Sequence, residues 1–436
     1  MKAFVHVRLK LILLLAVLPL QSTIGEPHTE PPPVVATADW IESTAAQLNQ
    51  QHPGLRASRS RYQAALAQAA GSRRIADPTA RLGGSVFDER NMHSREEGNL
   101  SYGIEQKLPL LGKETAARSM AEAEASVAGV KVEALFQRLR LDYARAALDA
   151  ALAEETVRIG VEDLTWLDLA VTVSETRFRS GQASSFDVLR LQNERARRAS
   201  QQLNDGDRSH AARAWVNHAL GREPLVEFPR LLLPEIGPEL TGSVGLQNQA
   251  VRNGPALRIL ERERKSAAAT LESTRRSARP DIAVGVEGRE YAGDAGFRNG
   301  TVTLSLSLPW WNRAGYRRDL ERDQHRLEAV EQDSADAALG LRNELHHLLI
   351  EIGNARRDAL TDRDDILPRS DQALAAAYAA WTSGRGLLSD VLEARRMRLE
   401  ARIRQARATA EQWIRVHELA QLCGLTVRET LRLSTR

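Results

Sequence analysis

"TVTLSLSLPWWNR", residues 301–313, is the stretch on which the reading of the whole chain turns. Val302, Leu304, Leu306 and Leu308 alternate with Thr301, Thr303, Ser305 and Ser307, the period of two that gives a strand one apolar and one polar face. The run ends at Pro309 and two adjacent tryptophans, Trp310 and Trp311, placed where an aromatic belt would sit at a membrane edge. No neighbouring helical segment offers this strand an evident apolar partner. Elsewhere the chain of 436 residues reads as helix, with only 5% aromatic residues and abundant Ala, Leu, Arg and Glu. A formal charge of +3 is small for this length. Its arginines are interleaved with Asp and Glu as on solvated helix faces, which argues against a nucleic-acid partner.

The chain is written twice. Pro53 in "HPGL" matches Pro255 in "GPAL", 202 residues on, and Pro78 matches Pro280 at the same offset. Leu108–Pro109 matches Leu308–Pro309 at an offset of 200, and "SGQASSFDVL" (180–189) matches "SGRGLLSDVL" (383–392) at 203. Gly221 pairs with Gly424, and Phe178 and Trp381 each stand three residues before their paired glycine. Such ordered recurrence marks a tandem duplication.

The duplication sets the expected domains. Residues 1–25, with Lys2, Arg8 and Lys10 ahead of an apolar run from Leu11 to Leu20, read as a cleavable signal peptide; ten apolar residues fall short of the roughly twenty that span a bilayer. A Pro-rich segment follows at 26–38. The first repeat occupies 39–222: a helix, strands near 79–88 and 99–108, a long helix 112–178, a tip turn 180–186 and a return helix 186–220. A Pro-rich linker, 223–244, leads to the second repeat at 245–425: a helix, strands near 281–289 and 301–310, a long helix 315–382, a tip turn 383–388 and a return helix 387–422. A C-terminal tail covers 426–436. Each long helix would be a rod of roughly 100 Å at 1.5 Å per residue. Pro368, which has Thr165 as its counterpart, is expected to kink the second rod.

Four strands with an apolar face cannot close a barrel alone, and an open sheet edge is not tolerated in lipid. Alternation by itself would equally suit a soluble α+β domain with its strands packed on helices. The signal, the rods and the prolines around both hairpins favour a different architecture. They predict a mainly α protomer whose four strands join those of two further copies in a twelve-stranded membrane β-barrel. The apolar faces would meet lipid and Trp310–Trp311 would lie at the interface.

These residues resemble a known family, the TolC-like outer-membrane efflux factors. "LPLLGKETAAR" and "LPWWNRAGYRR", where each hairpin enters its long helix, carry the resemblance together with the duplicated "SG…DVL" turns, over about 39–425. The family implies a homotrimer in the Gram-negative outer membrane, with a twelve-stranded β-barrel in the membrane and an α-helical barrel across the periplasm that holds most of each chain. A periplasmic adaptor and an inner-membrane pump would complete a tripartite exporter. "LPWWNRAG" and the proline of "DDILPRSDQAL" are further similar to the heavy-metal branch, of cobalt–zinc–cadmium resistance type, which makes metal cations a candidate cargo.

The resemblance also implies a periplasmic aperture lined by acidic residues at the positions of Asp390 and Glu393, which stand three apart and share a helix face. Copy one keeps Asp187 but has Arg190 where copy two has Glu393. The tip turns, with Gly181 and Gly384 and the adjoining Val188, Leu189, Val391 and Leu392, are where an adaptor hairpin would dock. Catalytic motifs are missing from the sequence, and neither an enzyme nor a cofactor is expected. His346 and His347 project about 100° apart on a helix, and His325 lies far upstream; none has metal-ligand spacing. The rival readings are a periplasmic adaptor, which would show one helical hairpin rather than two, and a soluble coiled-coil scaffold, which would lack lipid-facing strands.

Overall fold

The alternating stretches become strands and almost everything between them becomes helix. The computed structural model describes residues 32–72, 75–85, 99–242, 244–291 and 296–434; the expected signal 1–25 and the connection 88–98 lie outside the described residues. In chain order, β1 (Val34–Val35), α1 (Ala38–Ala45), α2 (Leu48–Gln51) and α3 (Pro53–Gly71) lead to the hairpin β2 (Thr79–Ser85) and β3 (Asn99–Leu108). The first rod, α4 (Lys113–Arg179), returns through α5 (Ser185–Ala219) to β4 (Leu231–Leu232). Copy two repeats the scheme with α6 (Val244–Asn253), α7 (Pro255–Ser277), β5 (Ile282–Tyr291), β6 (Gly296–Leu306), α8 (Arg313–Thr361), α9 (Leu367–Thr382) and α10 (Leu388–Cys423). It ends in α11 (Val427–Ser434).

The two hairpins form one antiparallel sheet in the order β2-β3-β5-β6. Its register sets Ile104 opposite Val286 and Val286 opposite Val302, so one face collects Leu82, Leu100, Tyr102, Ile104, Val284, Val286, Val302, Leu304 and Leu306. That face is bare: Leu304 is 74% exposed and Leu82 82%. The opposite face carries Arg81 and Glu105, ion-paired at 2.5 Å, with Thr301, Thr303 and Ser305. Strands of ten or eleven residues suit a tilted crossing of a bilayer. No helix among the described residues is long and apolar enough to cross one.

The helices continue the same order. Beside the sheet, α3 packs on α4, α4 on α7 and α7 on α8; further down, α5 packs on α4, α4 on α10, and α10 on α8 and α9. At each level the protomer is a strip of four elements, with copy one at one edge and copy two at the other. The middle of the strip holds two cores. Ile41, Leu48, Tyr143, Leu148 and Leu231 form one, and Leu246, Leu345, Leu348, Ile352 and Leu419 the other.

The repeat is structural at its turns. Gly221 (φ 74°) ends α5 against His52 and Pro53, and Gly424 (φ 67°) ends α10 against the backbone of Asn253. Only glycine takes this left-handed cap at no steric cost. Pro53 and Pro255 each start a helix, which divides the single leading helix expected in each copy into α1–α3 and into α6 and α7.

Other expectations need correction. The strand expected at 301–310 runs instead from Gly296 to Leu306, because Pro309 lacks an N–H and opens a 3-10 turn, Pro309–Asn312, that carries both tryptophans. Copy one makes the same joint differently, through Gly112 at φ 73°. At Pro368, where a kink is expected, the second rod leaves regular α geometry. A π turn, Asp362–Ile366, widens the helix just ahead of Pro368 and makes room for the ring against the preceding turn. The Pro-rich linker is not merely a connection, since its β4 pairs in parallel with β1. The C-terminal tail is helical: Thr430 and Ser434 are buried, and the Val427 N–H donates to Glu42 at 2.5 Å.

Candidate functional site at the rod tips

Each rod ends in the same turn. Ser180 and Gly181 (φ 76°), then Ser383 and Gly384 (φ 77°), reverse the chain into α5 and α10. In copy one the Ser184 hydroxyl caps α5 by accepting from the Asp187 N–H at 3.2 Å. In copy two Leu387 takes the capping position and supplies no such bond. The tips are joined by an apolar cluster of Leu167, Ala170, Leu191, Trp381, Leu388 and Val391. Each large side chain buried there contributes about 1.5–3 kcal/mol. Arg177, at the end of α4, donates to the Trp381 carbonyl and lies 5.2 Å over the Trp381 ring, tying tip one to tip two.

The expected aperture residues separate by environment. Asp390 and Glu393 are both exposed on the first turns of α10, where a carboxylate also suits the helix N-terminus. The Ser389 hydroxyl donates to Asp390 at 3.2 Å. Asp187 is partly covered and Arg190 exposed. Arg190 and Glu393, equivalent positions of the two copies with opposite charge, line the same groove of about 540 Å³ between α5 and α10, with Arg197, Arg396 and Glu400. Of the residues expected at the docking turns, Gly181, Gly384 and Leu189 are exposed, and Val188 and Leu392 are partly covered. Val391 is fully buried in the tip cluster, so it supports the turn and cannot itself meet a partner. Trp310 and Trp311 are exposed, 54% and 85%, beside the end of the sheet.

Sequence reasoning missed the ion pairs under the tips. Arg395 Nε and Nη2 donate to the two carboxylate oxygens of buried Asp163 at 2.8 and 2.6 Å, joining α10 to α4. Buried Arg198 of α5 approaches the same carboxylate at 3.5 Å and Asp205 at 3.3 Å. Higher on the α4–α10 contact, Arg402 pairs with Glu162 at 2.5 Å, and this bond holds the Glu162 carboxyl below its usual range. Another pair is duplicated outright: Arg195 donates to Asp168 and Arg398 to Asp371, each 27 residues apart. That shared spacing, at the 203 offset of the tips, was the signal available in the sequence. His347 meets Glu351 at 3.6 Å and His325 meets Glu328 at 3.0 Å, each as a surface pair. Among the described residues, no group of three or more His, Cys, Asp or Glu side chains is placed to hold a metal.

Residues 246–425, most of the second copy, match the family model of outer membrane efflux proteins. The fold agrees along the whole strip. The outer-membrane channel OprN superposes with a TM-score of 0.76 at 18% identity, covering 88% of this chain and 89% of its own. The second copy thus matches that family in sequence, and the chain as a whole shares its fold with OprN. VceC from Vibrio cholerae (TM-score 0.74, 16% identity, 89% and 97% covered) and CusC (0.77, 14%, 89% and 92%) are similar to the same extent. No curated protein matches the chain by sequence. OprN is an outer-membrane channel, and CusC forms a transmembrane channel.

Proposed function

We propose that three copies of this chain close into a passive efflux duct through the outer membrane and the periplasm. The observation that carries the reading is the open strip. The sheet ends in unpaired β2 and β6, its apolar face is bare, and the helical levels end in α3 and α8, then in α5 and α9. Unpaired strand edges with a lipid-seeking face require closure with further copies. Three copies give twelve strands, the number that the family resemblance implies. Lipid would cover Leu304 and its neighbours, while Arg81, Glu105 and the Thr/Ser face would line water.

The periplasmic mouth would lie at the tips. Per chain it presents Asp187, Asp390 and Glu393 against Arg190, so carboxylates outnumber guanidinium groups and the closed mouth attracts cations. Energy and cargo selection would come from an inner-membrane pump and a periplasmic adaptor docking on the exposed turn residues around Gly181, Leu189 and Gly384. Heavy-metal cations are the proposed cargo, on the resemblance of "LPWWNRAG" and the Pro368 segment to the heavy-metal branch. Export would begin with the signal at residues 1–25.

Detergent extraction from the membrane fraction, mass determination and conductance in planar bilayers test this reading. A three-chain particle that conducts is the expected result. A monomer in the soluble fraction overturns it.

A further inference from the structure

At the level beside the sheet the two copies match at one offset. Tyr62 of α3 packs over Gly129 of α4, and 202 residues on in each helix Arg264 of α7 meets Glu331 of α8 at 3.8 Å. Between these contacts lies the seam of the copies, where α7 packs on α4. There Lys131 of the rod pairs with Glu263 at 2.8 Å, and Glu133 with Arg258 at 2.6 Å. The same offset carries Glu263 and Arg258 back to Arg61 and Arg56 on α3. It carries Lys131 forward to Asp333 on α8, and Glu133 to Ala335, beside Asp336. Those two helices end the row α3–α4–α7–α8, so the equivalent seam forms only between α3 of one chain and α8 of a second copy.

The charges at those two edges are complementary. Over its 19 residues α3 has no Asp or Glu, and Arg56 and Arg61 are exposed. From 327 to 341, α8 carries Glu328, Glu331, Asp333 and Asp336 and no Lys or Arg, and Asp333 and Asp336 are exposed. Among the described residues, none of Arg56, Arg61, Asp333 and Asp336 has an ion pair. The sign is also reversed from the seam inside the chain. There the rod supplies the cation, Lys131, and the leading helix the anion, Glu263. At the free edges the rod supplies Asp333 and the leading helix Arg61.

Resting on the ring reading above, we infer that Arg61 and Arg56 of one chain pair with Asp333 and Asp336 of the next copy, and that the reversed sign decides which helix each rod accepts. A neighbour's α3 in the place of α7 would bring Arg61 against Lys131. An α7 on the free edge of α8 would bring Glu263 against Asp333. Both are like-charge contacts, which oppose association. The duplicated halves are thereby kept from exchanging places, and the copies join in one order.

Co-expression of two tagged forms of the full-length chain tests this. One form is unsubstituted. The other carries Arg56→Glu, Arg61→Glu, Asp333→Arg and Asp336→Arg, which keeps seams between like chains complementary and makes every mixed seam repulsive. After extraction and pull-down on one tag, mixed particles should be about tenfold scarcer than when both tags are on the unsubstituted chain. In parallel, Arg61→Cys with Asp333→Cys should give covalent dimers and trimers on oxidation, whereas either substitution alone should give none, since the native Cys423 is buried. Conducting trimers that mix freely, or that show no cross-link between chains, overturn the inference and leave the channel reading standing. If the substituted form does not accumulate, the cysteine pair alone decides. A protein that neither trimerises nor conducts removes the channel reading itself.

Discussion

Arg395 grips Asp163 through two hydrogen bonds across 232 residues of sequence, with both side chains buried. Removing one partner leaves an uncompensated charge in the interior, a loss of about 3–5 kcal/mol. Asp163→Asn should therefore lower the unfolding midpoint of the extracted protein markedly. Exposed Arg396→Gln, which loses only a surface pair with Glu400, should barely move it. Thermal unfolding of the two variants side by side checks the difference.

In the proposed pore, Asp390→Asn combined with Glu393→Gln should lower cation preference and weaken block by multivalent cations. Reversal potentials in a salt gradient measure the first, and titration with a trivalent cation the second. An unchanged selectivity would remove both residues from the aperture.

The bare face of the sheet makes a simple claim about solvent. Leu304→Arg places a charge at the proposed lipid face and should cost about 2–4 kcal/mol near the bilayer middle, depleting assembled trimer from the membrane fraction. Thr303→Arg, one residue along and on the face proposed to line water, should assemble normally. Immunoblots of membrane fractions under mild detergent report both.

His417 is buried beside Arg140, and burial first, then that positive charge, push its pKa down to about 3. A folded value below the unfolded 6.5 means that the neutral imidazole belongs to the native state. Its stability contribution is complete above pH 6.5 and is lost as pH falls toward 3, by about 1.4 kcal/mol per unit. His417→Gln should flatten this acid limb in unfolding measured from pH 7 to pH 4.

Two glycines of like backbone should answer alanine differently. Gly181 has nothing within 4 Å of an added Cβ, so Gly181→Ala costs only the left-handed conformation, about 1–2 kcal/mol. At Gly424 the new carbon would meet the Asn253 carbonyl oxygen at 2.4 Å, and Gly424→Ala should destabilise well beyond that. Denaturant midpoints separate the cases.

Legibility followed the range of the interactions. Strand faces, the repeat and the tip turns depend on local alternation and on Pro and Gly at matched places, and all could be read from residues such as Leu304, Pro255 and Gly384. The offset, which grows from 200 at Pro109 and Pro309 to 203 at Gly181 and Gly384, announced extra residues in the second rod. It did not locate the π turn. That place is set by Pro368 and by the Asp362–Arg404 pair at 3.0 Å, which forms only once α8 lies on α10. Arg395 and Asp163 were equally hidden. On a helix rich in arginine nothing local marks the one that will be buried, since its partner is on another repeat and their meeting depends on supercoiling.

The two ankles joining sheet to rods differ, a left-handed glycine in one copy and a proline-led turn bearing tryptophans in the other. Around a closed tube these fittings must alternate, so its rotational symmetry cannot rise to six however alike the halves once were. A sixfold collar gripping the tube would meet two unlike footholds in turn, and could bind them equally only by bending half of its own contacts.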